Sequence, residues 1–392
     1  FVVFIVGCNL FVPHNPPFLI SPDDGAEVVD VVLVWSGFSE SGFYNLQISS
    51  QEDFECFLVD TVLACTTYSW GYTTGGAFYW RVRGNFSDGW GEWSEIRSIK
   101  KVPYEVNCWD RVSNMCDIAV SGSYAYVATD SSLYVVDISE PTNPVEVSRC
   151  DSVGFVQRIY CSSPYIYVAD YDSNLHIVDV SDPESPSLVS STHISGKVMD
   201  VCVSGSYAYV LDKYAVLHIL DISDPTAPKE LGNCRVSPES RGGISVLGHY
   251  AYVTDIYLGL HIVDVSEPAN PVGVGKCDEL GRCYDVDVGD SYAYVGNWSV
   301  GFYVIDISDP TAPVKVWEYS APAHSQRVLV MEPYVYLVDN SSLYMFDVSV
   351  PTSVVEIGRW SGVENARSVA VSGSYAYIPD HTSGLHILKI SP

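Results

Sequence analysis

The stretch Tyr165-Ile-Tyr-Val-Ala169, followed by Leu175-His-Ile-Val-Asp-Val-Ser-Asp-Pro183, decides the fold because its pattern recurs along most of the chain. The second Tyr of this phrase, most often written Ser-Tyr-Ala-Tyr-Val, falls at 126, 167, 209, 252, 294, 336 and 377. The Asp of the second phrase falls at 137, 179, 221, 264, 306 and 347, with Lys389 in its place in the last copy. A period of about 42 residues is that of a supersecondary unit that buries its apolar faces only against its neighbours. Each unit reads as four short strands, in the first copy Asp117 to Val120, Tyr124 to Val127, Leu133 to Ile138 and Pro144 to Val147. The second and third are apolar on both faces, as sheets stacked face to face require.

Seven four-stranded units predict an all-β fold, a seven-bladed β-propeller over residues 103–392. The last copy stops at Ile390-Ser-Pro392, before its fourth strand. Pro103-Tyr-Glu-Val-Asn-Cys108 matches Pro144-Val-Glu-Val-Ser-Arg-Cys150 in phase with the array. Residues 103–107 are therefore expected to complete blade seven, a strand swap that closes the ring and removes open edges. The Leu-His-Ile-Val-Asp phrases at 175–179 and 260–264 resemble the LVIVD repeat family of extracellular propeller proteins. That resemblance implies a fold and secretion or surface display, and no reaction.

Residues 16–100 read as a separate sandwich. Ser21-Pro22-Asp-Asp-Gly25, Trp35, Tyr44-Asn-Leu-Gln-Ile-Ser49, Tyr79-Trp-Arg-Val-Arg83 and Trp90-Gly-Glu-Trp93-Ser94 follow in an order similar to bacterial fibronectin type III domains. Alternation places Tyr44, Leu46 and Ile48 on one face. The resemblance implies a spacer or adhesive module.

Residues 1–15 are the third segment. Phe1, Val2, Val3, Phe4, Ile5 and Val6 are wholly apolar and mostly β-branched or aromatic. Such a strand has no face for water and needs a groove that covers both sides, as donation to a neighbouring subunit's sheet would provide. The alternative is the end of a signal peptide, in which Ile5-Val6-Gly7-Cys8 resembles a lipobox and Cys8 is the lipidated residue. The absence of an initial Met fits a processed chain or a fragment. No apolar run reaches the roughly 18 residues of a membrane span.

The 392 residues carry 48 acidic against 20 basic side chains, a net charge of −28. This balance repels phosphate backbones and anionic lipid, so no nucleic-acid partner is expected. Eleven cysteines point to an oxidising compartment. In sequence order they pair as Cys56/Cys65, Cys108/Cys116, Cys150/Cys161, Cys202/Cys234 and Cys277/Cys283, leaving Cys8. No CxxC or zinc-finger spacing occurs, and no metal site or cofactor is expected. Asn85-Phe-Ser, Asn297-Trp-Ser and Asn340-Ser-Ser are N-glycosylation triplets.

His176, His218, His261 and His386 occupy one repeat position in different blades, too far apart to share a metal. The repeated Asp-Ile-Ser-[Asp/Glu]-Pro and the Asp residues ending the second strand read as turn formers. One position is more informative. Nine residues before the repeat Tyr stand Asp117, Arg158, Asp200, Gly243, Asp285, Arg327 and Ser368, whose charges nearly alternate around the ring. They are read as inter-blade ion pairs or as a polar ligand site at the channel mouth. No Ser-His-Asp order, phosphate loop or close carboxylate pair stands out, so no catalytic residue is assigned. Two functions follow. The first is a non-catalytic extracellular or cell-surface structural protein that polymerises with itself through its N-terminal strand. The second is a lipid-anchored adhesin or ligand-binding propeller, with a polysaccharide or surface protein as partner. An enzymatic propeller would need unlike polar residues converging at one channel mouth.

Overall fold

The computed structural model describes residues 16–28, 31–37, 42–55, 57–70, 76–87, 89–151, 153–237, 242–320 and 324–390. The proposed assembly strand Phe1–Val6, the lipidation candidate Cys8 and the cysteine Cys56 lie outside them. The chain divides into two compact units between Tyr104 and Glu105.

The first unit packs two sheets around one core. Strands Leu19–Ser21, Val31–Trp35 and Thr67–Trp70 form one sheet; Ala26–Val28, Arg97–Lys101, Gly76–Phe86, Phe43–Ser49 and Phe57–Leu63 form the other. Leu33 and Trp35 from the first sheet and Tyr44, Leu46, Ile48 and Trp80 from the second share one buried cluster. The period-two alternation of the Tyr44 strand thus faces the core as its sequence dictates. On the opposite face Gln47 accepts from Arg81 at 2.8 Å, and that guanidinium lies between the rings of Phe54 and Trp93. Arg83 stacks similarly between Trp90 and Trp93.

The second unit holds seven four-stranded antiparallel sheets. Blade one is Met115–Ser121, Tyr124–Thr129, Ser132–Asp137 and Val145–Asp151, listed from the innermost strand outward. Blades two to six repeat this order over 156–193, 198–235, 244–277, 283–320 and 325–361. The seventh sheet joins Tyr104–Trp109 to Gly384–Lys389, Tyr375–Asp380 and Ala370–Ser372.

Between consecutive sheets lies an apolar layer contributed by both. Phe302 and Val304 of blade five meet Val328 and Phe346 of blade six, and Tyr377 and Leu385 of blade seven meet Ile118 and Val127 of blade one. Seven such layers serve seven sheets, which is possible only in a closed circle. This explains why the second and third strands are apolar on both faces. A second link runs along the rim, where the Ser190 hydroxyl donates to the Pro225 carbonyl of the next blade's turn at 2.7 Å.

The turns behave as the sequence implied. Asp137, Asp179, Asp221, Asp264, Asp306 and Asp347 each accept the backbone N–H two residues on, at 2.8–2.9 Å. The histidines pair within their own blades, His176 with Asp170 at 3.1 Å and His218 with Glu230 at 3.0 Å.

Two sequence expectations need correction. Cys65, Cys108, Cys116, Cys150, Cys161, Cys202, Cys234, Cys277 and Cys283 are free thiols. In each of the four fully described pairs, one cysteine stands on an outermost strand and the other on an innermost strand. Cys202 and Cys234 share one sheet, where three strand spacings of about 4.8 Å exceed the reach of a disulfide, and the other three pairs fall on the outermost strand of one blade and the innermost strand of the next. Cys277 and Cys283 do share an apolar cluster, without a bond. Asn297 is the second correction, because it is 1% exposed and its amide donates to the Leu280 carbonyl at 2.7 Å. A glycan on that nitrogen is incompatible with the folded chain. Asn85 and Asn340 are only partly buried.

Candidate functional site

The innermost strands begin at one mouth of the channel, and there the chain departs from regular pairing. Between Met115 and Asp117 the register shifts, and the same shift recurs at Val156/Arg158, Val198/Asp200, Cys283/Asp285 and Ser325/Arg327. Each shift is a β-bulge, which leaves one extra residue unpaired and re-aims its side chain. The bulge residues are Cys116, Gln157, Met199, Tyr284 and Gln326. All five line a cavity of about 420 Å³, together with Gly242 and Arg367 at the same repeat position in blades four and seven. Every blade therefore contributes one residue to this space, the one preceding the charged ring position.

Of the five charged candidates, only Arg158 lines the cavity. Its guanidinium reaches across the ring to the carbonyls of Gln326 at 3.3 Å and Arg367 at 3.4 Å. Asp117, Asp200 and Asp285 are buried and turned toward the next blade. Asp117 accepts the Ile159 N–H at 2.7 Å, Asp200 that of Ile244 at 2.9 Å and Asp285 that of Val328 at 2.8 Å. In each case the donor is the residue just after the ring position of the following blade. The near-alternation of charge is thus a stapling pattern: an Asp in blades one, three and five holds blades two, four and six. Arg327 pairs with Asp285 at 3.3 Å and is held above its ordinary value, burial notwithstanding, by Asp285, Asp117, Asp200 and Asp287.

Gly243 completes this arrangement. A Cβ there would lie 2.5 Å from an Asp285 oxygen and 3.2 Å from an Asp200 oxygen, so both carboxylates border one small space. Burial pushes the Asp200 carboxyl up to about 6, against the pull of Arg327 and Arg158 and with Asp285 adding to the rise. Because the folded value exceeds the ordinary 3.8, this residue's stabilising contribution is complete below about pH 4 and lost as pH rises through 6. Asp200→Asn keeps an oxygen for the Ile244 N–H and removes the charge. Its stability relative to the wild type is expected to grow by roughly 2–3 kcal/mol from pH 4 to pH 8 in urea unfolding. A difference independent of pH would contradict this reading.

Around the cavity the loops add aromatic surface. Phe155, 44% exposed, lines the cavity and meets Tyr171 edge to face at 6.0 Å, with the Lys197 ammonium 4.1 Å from that ring. Across the mouth Tyr284 packs 4.9 Å from Trp298, which stacks on His324 at 3.9 Å. Two aromatic platforms thus flank a floor of amides and guanidinium groups: Gln157, Gln326, Arg158 and Arg367. Asp130, His381 and Cys116 also line the cavity, and burial together with Asp117 and Asp130 pushes the Cys116 thiol up to about 12. It is a neutral thiol that donates to the Ala128 carbonyl at 3.3 Å, not an activated one.

The repeat pattern does not show the platforms and bulge residues, because apart from Gln157 and Gln326 they differ in residue type from blade to blade. The signal available was position: one residue before the ring position, and the loop after the second strand.

No curated protein matches the chain. Among solved structures, the computationally designed Ika8 protein covers 73% of this chain and 98% of its own, at 7% identity and a TM-score of 0.54. A functionally unknown protein from Desulfotomaculum acetoxidans covers 67% and 90%, at 10% identity and 0.58. BamB from Moraxella catarrhalis covers 81% and 91%, at 12% identity and 0.50. At these identities the likeness concerns the fold alone. The LVIVD repeat model matches residues 114–152, 153–193, 195–236, 241–279, 280–321, 322–361 and 364–392. These seven matches span more than half of the sequence and coincide with the blades, so the chain belongs to the LVIVD repeat family.

Proposed function

We propose that this protein is a non-catalytic binding propeller whose ligand is a saccharide held at the channel mouth. The observation that carries the reading is the pairing of two aromatic platforms with a floor of amide and guanidinium groups. A pyranose presents an apolar C–H face and a rim of hydroxyls. Exposed rings cover the first, and fixed polar side chains satisfy the second. The amide side chains of Gln157 and Gln326 offer both donors and acceptors, which suits hydroxyls better than a carboxylate or a phosphate. A glycan array probed with the full chain should give a defined set of bound saccharides. Phe155→Ala, at the exposed ring that lines the cavity, should lower that binding about tenfold with little change in the unfolding midpoint. Binding by the variant equal to wild type would exclude the mouth as the site.

The remaining parts fit a displayed receptor. We read the front unit as a fibronectin type III-like spacer, on its order of aromatic markers and its two-sheet core. The strand Tyr104–Trp109 is read as the swap that closes the ring. Extracellular or surface display rests on the family resemblance, since nine free thiols no longer support the argument from disulfides. Self-assembly through Phe1–Val6 is a separate proposal, carried by the wholly apolar sequence of that segment. Removing residues 1–8 should then leave soluble monomers, and fibres from the truncated chain would refute it.

A further inference from the structure

Blade seven carries a group of side chains found in no other blade among the described residues. His386 stands on the strand Gly384–Lys389, and Glu105 and Cys108 stand on Tyr104–Trp109 beside it. The Glu105 carboxylate lies 2.8 Å from Nδ1 of His386, and the Cys108 Sγ lies 4.0 Å from Nε2. One donor atom from each of the three residues falls within 4.8 Å of the others. Ser383 joins them, its hydroxyl 2.8 Å from Nε2 and its carbonyl oxygen 3.3 Å from the Cys108 sulfur. His386 is 5% exposed and Trp360 packs 5.5 Å from its ring, so the imidazole is held while Cys108 and Glu105 keep access to solvent.

Blade three shows what is particular here. His218 makes the same contact to Glu230 at 3.0 Å, but Asn233 stands opposite it on the outer strand. The His–Glu pair is therefore a structural element of the repeat, and the added thiol changes its chemistry. Cys108 stands five residues after the turn proline Pro103, the same offset by which Asn233 follows Pro228 to face His218 and Ser191 follows Pro186 to face His176, so blade seven differs in placing a thiol at that position.

We propose that Cys108 and His386 bind a thiophilic divalent cation, with zinc the best match, and that Glu105 is the positioning residue. Glu105 fixes the imidazole through Nδ1, which leaves the Nε2 lone pair toward the Ser383 hydroxyl at 2.8 Å and the Cys108 sulfur at 4.0 Å, where a cation would displace the thiol proton. A carboxylate on the far nitrogen of a ligating histidine is the common second partner of such sites. Zinc bonds of about 2.3 Å to sulfur and 2.0 Å to nitrogen place the two donors roughly 3.5 Å apart. The observed 4.0 Å closes to that with a small side-chain rotation. The Ser383 oxygens or water take the remaining positions. The donors are 278 and 281 residues apart in sequence, so no spacing rule could have found them.

The full chain titrated with cobalt should develop a sulfur-to-cobalt charge-transfer absorption, saturating at one equivalent and displaced by zinc. Cys108→Ser should lose that band, Cys65→Ser should keep it, and Glu105→Gln should weaken zinc binding 10–100-fold. A second measurement needs no variant: zinc should slow iodoacetamide alkylation of Cys108 at least tenfold and leave Cys65 unaffected. The proposal is overturned if wild type shows no such band, if the band survives in Cys108→Ser, or if Cys108 is alkylated equally fast with and without zinc.

Discussion

Asp285→Ala is expected to destabilise the propeller by about 3–5 kcal/mol in denaturant unfolding, the cost of breaking a buried, hydrogen-bonded ion pair. Asp285 is 1% exposed and serves two groups, the Val328 N–H at 2.8 Å and the Arg327 guanidinium at 3.3 Å. Without it both lose their acceptor, and the Arg327 Nε is already a buried donor with no partner. Asp285→Asn separates the two roles, since it keeps an oxygen for the backbone and removes the charge facing Arg327. It should fall between wild type and the alanine variant. A loss below 1 kcal/mol for Asp285→Ala would mean that the ring acids do not hold the blades together. The same logic covers Asp287, whose carboxylate accepts the Val330 N–H at 2.9 Å and the Ser245 hydroxyl at 3.1 Å.

This result would also fix the meaning of the alternating charges. From sequence, Asp117, Asp200 and Asp285 read first as inter-blade ion pairs and second as a ligand site at the channel mouth. The structure turns each carboxylate away from the cavity and onto a backbone N–H of the following blade. The reason is the bulge. Side chains alternate strictly along a strand, so one inserted residue exchanges which neighbour faces the channel. Cys116, Gln157, Met199, Tyr284 and Gln326 gain the cavity, and of the charged residues after them only Arg158 still lines it.

The architecture was legible because the propeller is built from what repeats. Tyr126 and its six equivalents, the two-faced apolar strands and the Asx turns after Asp137 all recur, and recurrence is readable without a structure. The candidate site was poorly legible for the opposite reason. Phe155, Tyr171, Tyr284 and Trp298 appear in some blades and not others, and a repeat average discards them. The cysteines failed in a third way. Pairing by nearness in sequence ignores that each blade runs outward from the channel, so Cys202 and Cys234 sit on opposite edges of one sheet. The donors of blade seven, at the two ends of the repeat array, meet only because the ring is closed.

That the bulge residues form the floor of a binding site is tested most directly by one comparison. For the saccharide bound best on the array, dissociation constants of wild type and the Gln157→Ala/Gln326→Ala double variant are measured by calorimetry. On the proposed reading each amide gives one hydrogen bond to a hydroxyl, Gln326 beside the one it donates to Asn340 at 3.0 Å, at about 1–1.5 kcal/mol apiece. Their removal should weaken binding about 100-fold, while the unfolding midpoint stays that of the wild type. An unchanged dissociation constant in a double variant of normal stability would contradict the claim and place the ligand elsewhere on the molecule.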